Sequence, residues 1–222
     1  FAITVSILLA IPLAVISAAK RDTVIDHIAR VFALSGLSMP VFWTGLIALY
    51  VFFFLLGLFP GSGRLDNALI PPPVVTGLVT IDSLIALRLD TFWDALRHLV
   101  LPGFTLSLFS MAWISRMARS ALLEVMGQDY VRMARAKGLC ERIVLTRHIL
   151  RNAMIPTTTI IGLTYGYMLE GSILLETIFG WPGMGLYAAG SFLSMDYMGV
   201  MGVSLMAALI FAVSNLIVDL TY

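Results

Sequence analysis

Residues 1–19 contain no charged side chain, and this limits the fold more than any motif in the chain does. A helix of about 19 residues, rising about 1.5 Å per residue, crosses a hydrocarbon layer roughly 30 Å thick. Four more apolar runs follow, at 31–58, 99–117, 156–175 and 198–218. Backbone inside lipid must satisfy its own hydrogen bonds, and helices do so within one segment. The expected fold is therefore an all-α polytopic membrane protein with five transmembrane helices in a single domain, 1–222. Charged residues make up only 12% of the chain, about half the share of a soluble domain.

The four connections hold 3, 3, 8 and 0 Lys plus Arg in chain order. Cytoplasmic loops carry the excess of positive charge, so 20–30 and 116–152 face the cytoplasm, while 59–98 and 176–197 face outward. The C-terminus is then cytoplasmic and Phe1 lies on the outer side. A cytoplasmic N-terminus would require one more span upstream. Asp22 is expected to cap a short interfacial turn, Pro40 to kink the second span, and Pro102 to sit at the start of the third. The outer loop 59–98 opens with turn residues and the run Pro71-Pro72-Pro73. Its second half, 82–98, is expected to be a surface helix, and 176–197 a short loop rich in glycine, proline and aromatics.

Catalytic patterns are absent from the sequence. It holds no G-x-x-x-x-G-K-[ST] for nucleotide phosphates, no H-E-x-x-H and no G-x-S-x-G. His27, His98 and His148 are far apart and are expected to be solvated or interfacial. The lone Cys140 excludes an intrachain disulfide framework and a Cys-rich metal site. No catalytic residue, metal ligand or cofactor is assigned to this chain, and no nucleic-acid partner is expected.

The longest charged stretch, 116–156, holds eight of the fourteen Lys and Arg residues. Within the cytoplasmic loop 118–152, Asp129 is expected to cap a helix over 130–137. Gly138 suits a C′ position with positive φ. Cys140 then marks the start of a second helix, with Glu141 favourably placed in its first turn. Two short helices would meet at a glycine corner, with the small residues Ala134, Ala136 and Gly138 and with cations around them. On physics alone, such a loop either receives a partner or rests near anionic lipid.

DYVRMARAKGLCERIVLTRHILRNAMIP resembles the cytoplasmic loop of ABC importer permeases, in the peptide and nickel branch of binding-protein-dependent systems. The general family reads E-A-A-x-x-x-G with a later I-x-L-P. Gly138 matches its glycine, Ala134 its second alanine and Leu150 its leucine. Arg132, Met133, His148 and Arg151 depart from it, in the manner of the dipeptide branch with its Y-V-R-x-A-R-A-K-G-L run. GSILLETIFGWPGMG at 171–185 and NLIVD at 215–219 are similar to further blocks of that branch.

The resemblance implies a multi-pass inner-membrane permease subunit, of six spans in the family, the first of which this chain would lack. Its loop would form coupling helices seated in an ATPase, with Asp129, Arg132, Ala134, Arg135, Ala136, Lys137, Gly138 and Glu141 at the contact. Implied partners are a homologous second permease, two ABC ATPases carrying the ATP and magnesium, an extracytoplasmic solute-binding protein and membrane lipid. The expected cargo is a di- or oligopeptide; nickel chelates or other small solutes are the alternative. Thr159, Gly166, Glu170 and Thr177 fall near one face of the fourth helix and are candidates for the translocation path. Gly162 and Gly166 also form a G-x-x-x-G packing pattern. An ATP-independent carrier or channel, or a non-transporting scaffold, are the readings of another class.

Overall fold

The structure, a computed structural model, describes residues 1–220, with every side chain among them except that of Glu170. Among these residues it is helical and contains no strand. The elements are α1 (Ala2–Ala19), α2 (Val24–Ser38), α3 (Val41–Ala48), α4 (Val79–Ile85), α5 (Leu89–Met126), α6 (Asp129–Ala136), α7 (Glu141–Ile143), α8 (Arg151–Ile178), α9 (Met184–Leu193) and α10 (Tyr197–Leu220). A π-helical segment, Leu49–Leu55, prolongs α3, and another, Val144–Leu150, joins α7 to α8.

Among the described residues three helices, α1, α5 and α10, are long and apolar enough to cross a membrane, and there is a fourth if the bent pair Val24–Ser38 and Val41–Leu55 counts as one span. α8 has 28 residues, so length does not limit it. Its three consecutive threonines, Thr157 to Thr159, and its acidic Glu170 dilute its apolar character.

Several boundaries differ from the sequence expectation. Asp22 is not the cap of α2. It adopts φ 60°, and Thr23 holds the N-cap position. The Asp22 N–H instead donates to the side chain of Asp26, 3.1 Å away. α2 has 15 residues and passes through the expected boundary at Val31. It stops where Met39 turns extended before Pro40, since a residue preceding proline avoids the helical region.

The expected surface helix over 82–98 is two pieces, because Leu87 takes φ 54° between α4 and α5. α5 then runs 38 residues through the expected third span, leaving Pro102 inside the helix rather than at its start. The loop expected at 176–197 contains all ten residues of α9.

The chain divides into two compact units. The first comprises Phe1–Met39, Ser107–Met168 and the chain from Ala208. Small residues on α1 (Ser6, Ala10, Ala14, Ser17 and Ala18) are all buried, which allows neighbouring helices close approach. Ala14 and Ala18 pack with Ala118, Leu122, Val131, Val144, Ile149 and Ala153 in one apolar cluster. Asp26, fully buried, forms the polar centre of this unit. Arg119 of α5 reaches it with Nε at 2.9 Å and Nη2 at 2.8 Å, one to each carboxylate oxygen. The Ser17 hydroxyl of α1 donates to the same carboxylate at 2.5 Å. One carboxylate thus joins three helices.

G-x-x-x-G on α8 is a packing device in this unit. A Cβ at Gly162 would collide with Val218, and one at Gly166 with Phe211, both on α10.

The second unit comprises Pro40–Leu106 and Leu169–Ala207. Leu101, Leu175 and Phe179 form its core, covered by Val41, Leu49, Phe52 and Ile178. α3 approaches closely at Gly45, where a Cβ would lie 2.7 Å from Leu175 Cδ2. Glu176 explains α9: its Oε2 accepts the N–H groups of Gly185 (2.7 Å) and Leu186 (3.1 Å). These are donors that the first turn of a helix leaves unpaired.

Asp82, also buried, organises the turn after the triple proline. It accepts from the Thr76 N–H and hydroxyl, each at 2.7 Å, and from the Gly77 N–H at 3.1 Å. The Thr76 N–H does most to hold its carboxyl below the ordinary aspartate value. His98, expected to be solvated or interfacial, is buried in the fold, with Nδ1 2.9 Å from the Asp94 carbonyl.

Candidate functional site

The segment after α5 turns sharply and projects the basic residues. Gln128 is extended (φ −73°, ψ 148°) and holds the N-cap position of α6, one residue before the expected Asp129. Asp129 lies instead in the first turn, where a carboxylate meets the positive end of the helix dipole. Val131 and Ala134, three apart on one face, are buried against Leu122 and Val144. On the other face, Arg132, Met133, Arg135, Ala136 and Lys137 are exposed.

α6 ends in a Schellman arrangement. Gly138 takes φ 77°, a conformation that costs other L-residues about 1–2 kcal/mol. Its N–H donates to the Arg135 carbonyl at 2.9 Å, and that of Leu139 to the Ala134 carbonyl at 3.4 Å. These bonds satisfy carbonyls that a helix C-terminus leaves open. Nothing lies within 4 Å of where a Gly138 Cβ would sit, so backbone conformation and not crowding selects glycine here. Cys140, exposed and extended, then holds the N-cap position of α7.

The two arms of the corner are tied together. Arg135 donates from Nε at 3.1 Å and from Nη2 at 2.6 Å to the two carboxylate oxygens of Glu141. That pair holds the Glu141 carboxyl below its ordinary value and raises Arg135. Side-chain exposures of 41% for Arg135 and 65% for Glu141 leave the pair in water. It aligns the corner more than it stabilises the fold. Asp129 and Arg132 make a looser contact of 3.5 Å in full solvent.

All eight residues expected at the partner contact lie on this corner. Seven are exposed: Asp129, Arg132, Arg135, Ala136, Lys137, Gly138 and Glu141. Ala134 is buried, and its part is to seat α6 on α5. The sequence reading missed the Arg135–Glu141 pair, since six residues across a turn match no helical spacing. It also missed Asp26–Arg119, whose partners are 93 residues apart.

The four candidates for a path lie on α8, Thr159 and Gly166 in the first unit, and Glu170 and Thr177 in the second. Thr159 is half-buried, and Gly166 is filled by Phe211. Thr177 is exposed, its hydroxyl donating to the Ile173 carbonyl at 2.9 Å. The Glu170 side chain lies outside the described residues. No cluster of three or more metal-ligating side chains occurs among the described residues.

Comparison with known proteins gives the family of the chain. Residues 10–222 match the family model described as "Binding-protein-dependent transport system inner membrane component". The whole chain is 40% identical over 221 residues to a probable D,D-dipeptide transport system permease protein of Escherichia coli. It is also 40% identical over 222 residues to a dipeptide transport system permease protein of Alkalihalophilus pseudofirmus. Over 94% of the chain it is 45% identical to a di/tripeptide transport system permease protein of Pseudomonas aeruginosa. The chain spans between 62% and 66% of the length of these relatives.

Proposed function

Because the chain belongs to the family of inner membrane components of binding-protein-dependent transport systems, we propose that it is the permease subunit of an ATP-driven importer that moves short peptides inward by alternating access. The observation that carries this reading is the α6–α7 corner, a closed turn with an exposed basic surface and a buried apolar root. In this reading the chain has five spans. α1, the α2–α3 pair, α5, α8 and α10 supply them, and α6 and α7 are the coupling helices of one permease domain.

Two ATPase subunits, holding ATP and magnesium, would receive the corner in a cleft. Arg132, Arg135, Ala136, Lys137 and Gly138 form the docking surface, with Asp129 and Glu141 at its ends and Ala134 behind it. Movement of the ATPases would then travel along two routes. The packing of Val131 and Ala134 carries it to the end of α5. The π-helical turns, which run from α7 into α8 without a break, carry it to the fourth span. A homologous second permease would complete the pathway, and an extracytoplasmic solute-binding protein would deliver the cargo. The names of the relatives concern dipeptides, D,D-dipeptides and tripeptides, and a peptide is the cargo proposed here. Thr159, Glu170 and Thr177 are assigned to the path, and Gly166 to packing beside it.

Gly138→Asp in the assembled transporter tests the coupling. The variant is expected to fold and to hydrolyse ATP while peptide uptake falls severalfold, because the change disturbs only the corner. Normal uptake, or uptake by this chain without an ATPase, would refute the reading. Glu170→Gln tests the path, and unchanged uptake and peptide range would remove Glu170 from it.

A further inference from the structure

α1, α2 and the C-terminal half of α5 border a cavity of about 120 Å³ in the first unit. Its lining is mainly apolar, with Leu13, Ala33 and Leu34 among the contributors, yet three arginines (Arg30, Arg116 and Arg119) also line it. One carboxylate, Asp26, meets two of them. It is engaged by Arg119 through two bonds, and Arg30 approaches only to 3.6 Å. Arg116 lies over the Trp113 ring at 5.7 Å and meets no carboxylate among the described residues. The surplus is two positive charges beside an apolar hollow.

A second observation is independent of this charge count. Arg30 Nε is buried and has no hydrogen-bond partner, while Nη2 of the same guanidinium is 2.8 Å from His27 Nδ1. An unmatched buried donor is costly, and a phosphate oxygen is the acceptor that guanidinium groups pair with best. Leu34, one of the lining residues, is 52% exposed. These arginines also belong to the connections that carry the excess of positive charge.

We propose that this cavity binds the phosphate of an anionic phospholipid, with Arg30 and Arg116 as its ligands and the apolar lining against the glycerol and upper acyl chain. Arg119 remains committed to Asp26 and sets the floor of the site. Anionic lipid and free phosphate share the phosphate chemistry; the apolar lining favours the lipid.

The test uses the assembled transporter purified in detergent, with bound lipid counted by native mass spectrometry. Phosphatidylglycerol, phosphatidylcholine and inorganic phosphate are the three probes. Phosphatidylglycerol is expected to be retained in preference to phosphatidylcholine. Arg30→Gln with Arg116→Gln should weaken that binding about 5-fold per arginine, or roughly 25-fold together. Equal retention of the two lipids, or an unchanged affinity in the double variant, overturns the proposal. Displacement of phosphatidylglycerol by millimolar inorganic phosphate assigns the site to free phosphate and overturns it as well. If the double variant fails to assemble, Arg116→Gln alone, at an exposed side chain, carries the test through its expected fivefold loss.

Discussion

Asp26→Ala should be the most damaging single substitution in the first unit, and the structure sets its scale. The carboxylate is fully buried and accepts two bonds from Arg119, one from the Ser17 hydroxyl and one from the Asp22 N–H. Removing it leaves Arg119, only 19% exposed, without its counter-charge. Breaking a buried pair from one side costs about 3–5 kcal/mol, whereas replacing both partners by apolar groups is often close to neutral. Arg119→Met should cost less, about 2–4 kcal/mol, because Ser17, the Asp22 N–H and the more distant Arg30 still attend the carboxylate. The double variant should lose only about 1–2 kcal/mol, chiefly for the half-satisfied Ser17 and Asp22 groups. Reversible unfolding in mixed micelles, followed by circular dichroism, closes the double-mutant cycle. A double-variant loss equal to the sum of the singles within about 0.5 kcal/mol would show that the two residues act independently and would refute the reasoning. So would a loss below about 1 kcal/mol for Asp26→Ala alone, since that is the range of an exposed pair.

Three further outcomes follow from the second unit and from the α8–α10 contact. Glu176→Ala removes the acceptor for the Gly185 and Leu186 N–H groups. α9 should fray by about 0.5–2 kcal/mol, read as faster amide exchange at 184–187. Gly166→Val should destabilise the α8–α10 contact by about 1–3 kcal/mol through overpacking against Phe211. Addition of Phe211→Ala should restore part of this in a thermal melt, and no restoration would mean that the clash lies elsewhere. Because the folded-state pKa of Asp82 is depressed, its contribution is complete above the unfolded value of 3.8 and is lost as pH falls through the lower folded value. Pepsin should therefore begin to cut the 71–78 turn only below pH 3.8 in the parent chain, whereas Asp82→Asn should be cut across the acid range.

What proved legible was what lies along a single strip of chain. The glycine corner could be read because a helix end that needs φ > 0 is specified within a few residues of itself. Gly138 indeed sits at φ 77°. The G-x-x-x-G pair could be read as a packing device for the same reason, although its partner helix could not be named. α9 escaped notice because the acceptor for its first-turn N–H groups is Glu176, which precedes the helix by eight residues and lies on another element. Composition in that stretch signals a turn. Only the folded carboxylate makes it a helix start.

Apolar runs sufficed to set the all-α class and the membrane environment, because transfer into lipid depends on local composition alone. Tertiary structure decided which face of each helix is spent on packing, and which charges meet. Ala134 lies inside because α6 folds back on α5, and Gly166 is filled because Phe211 of α10 crosses it. Asp26 can be buried at all only because Ser17 and Arg119 converge on it from two other helices. A buried charge depends on partners brought together in three dimensions, and neither hydropathy nor periodicity along the chain encodes that meeting.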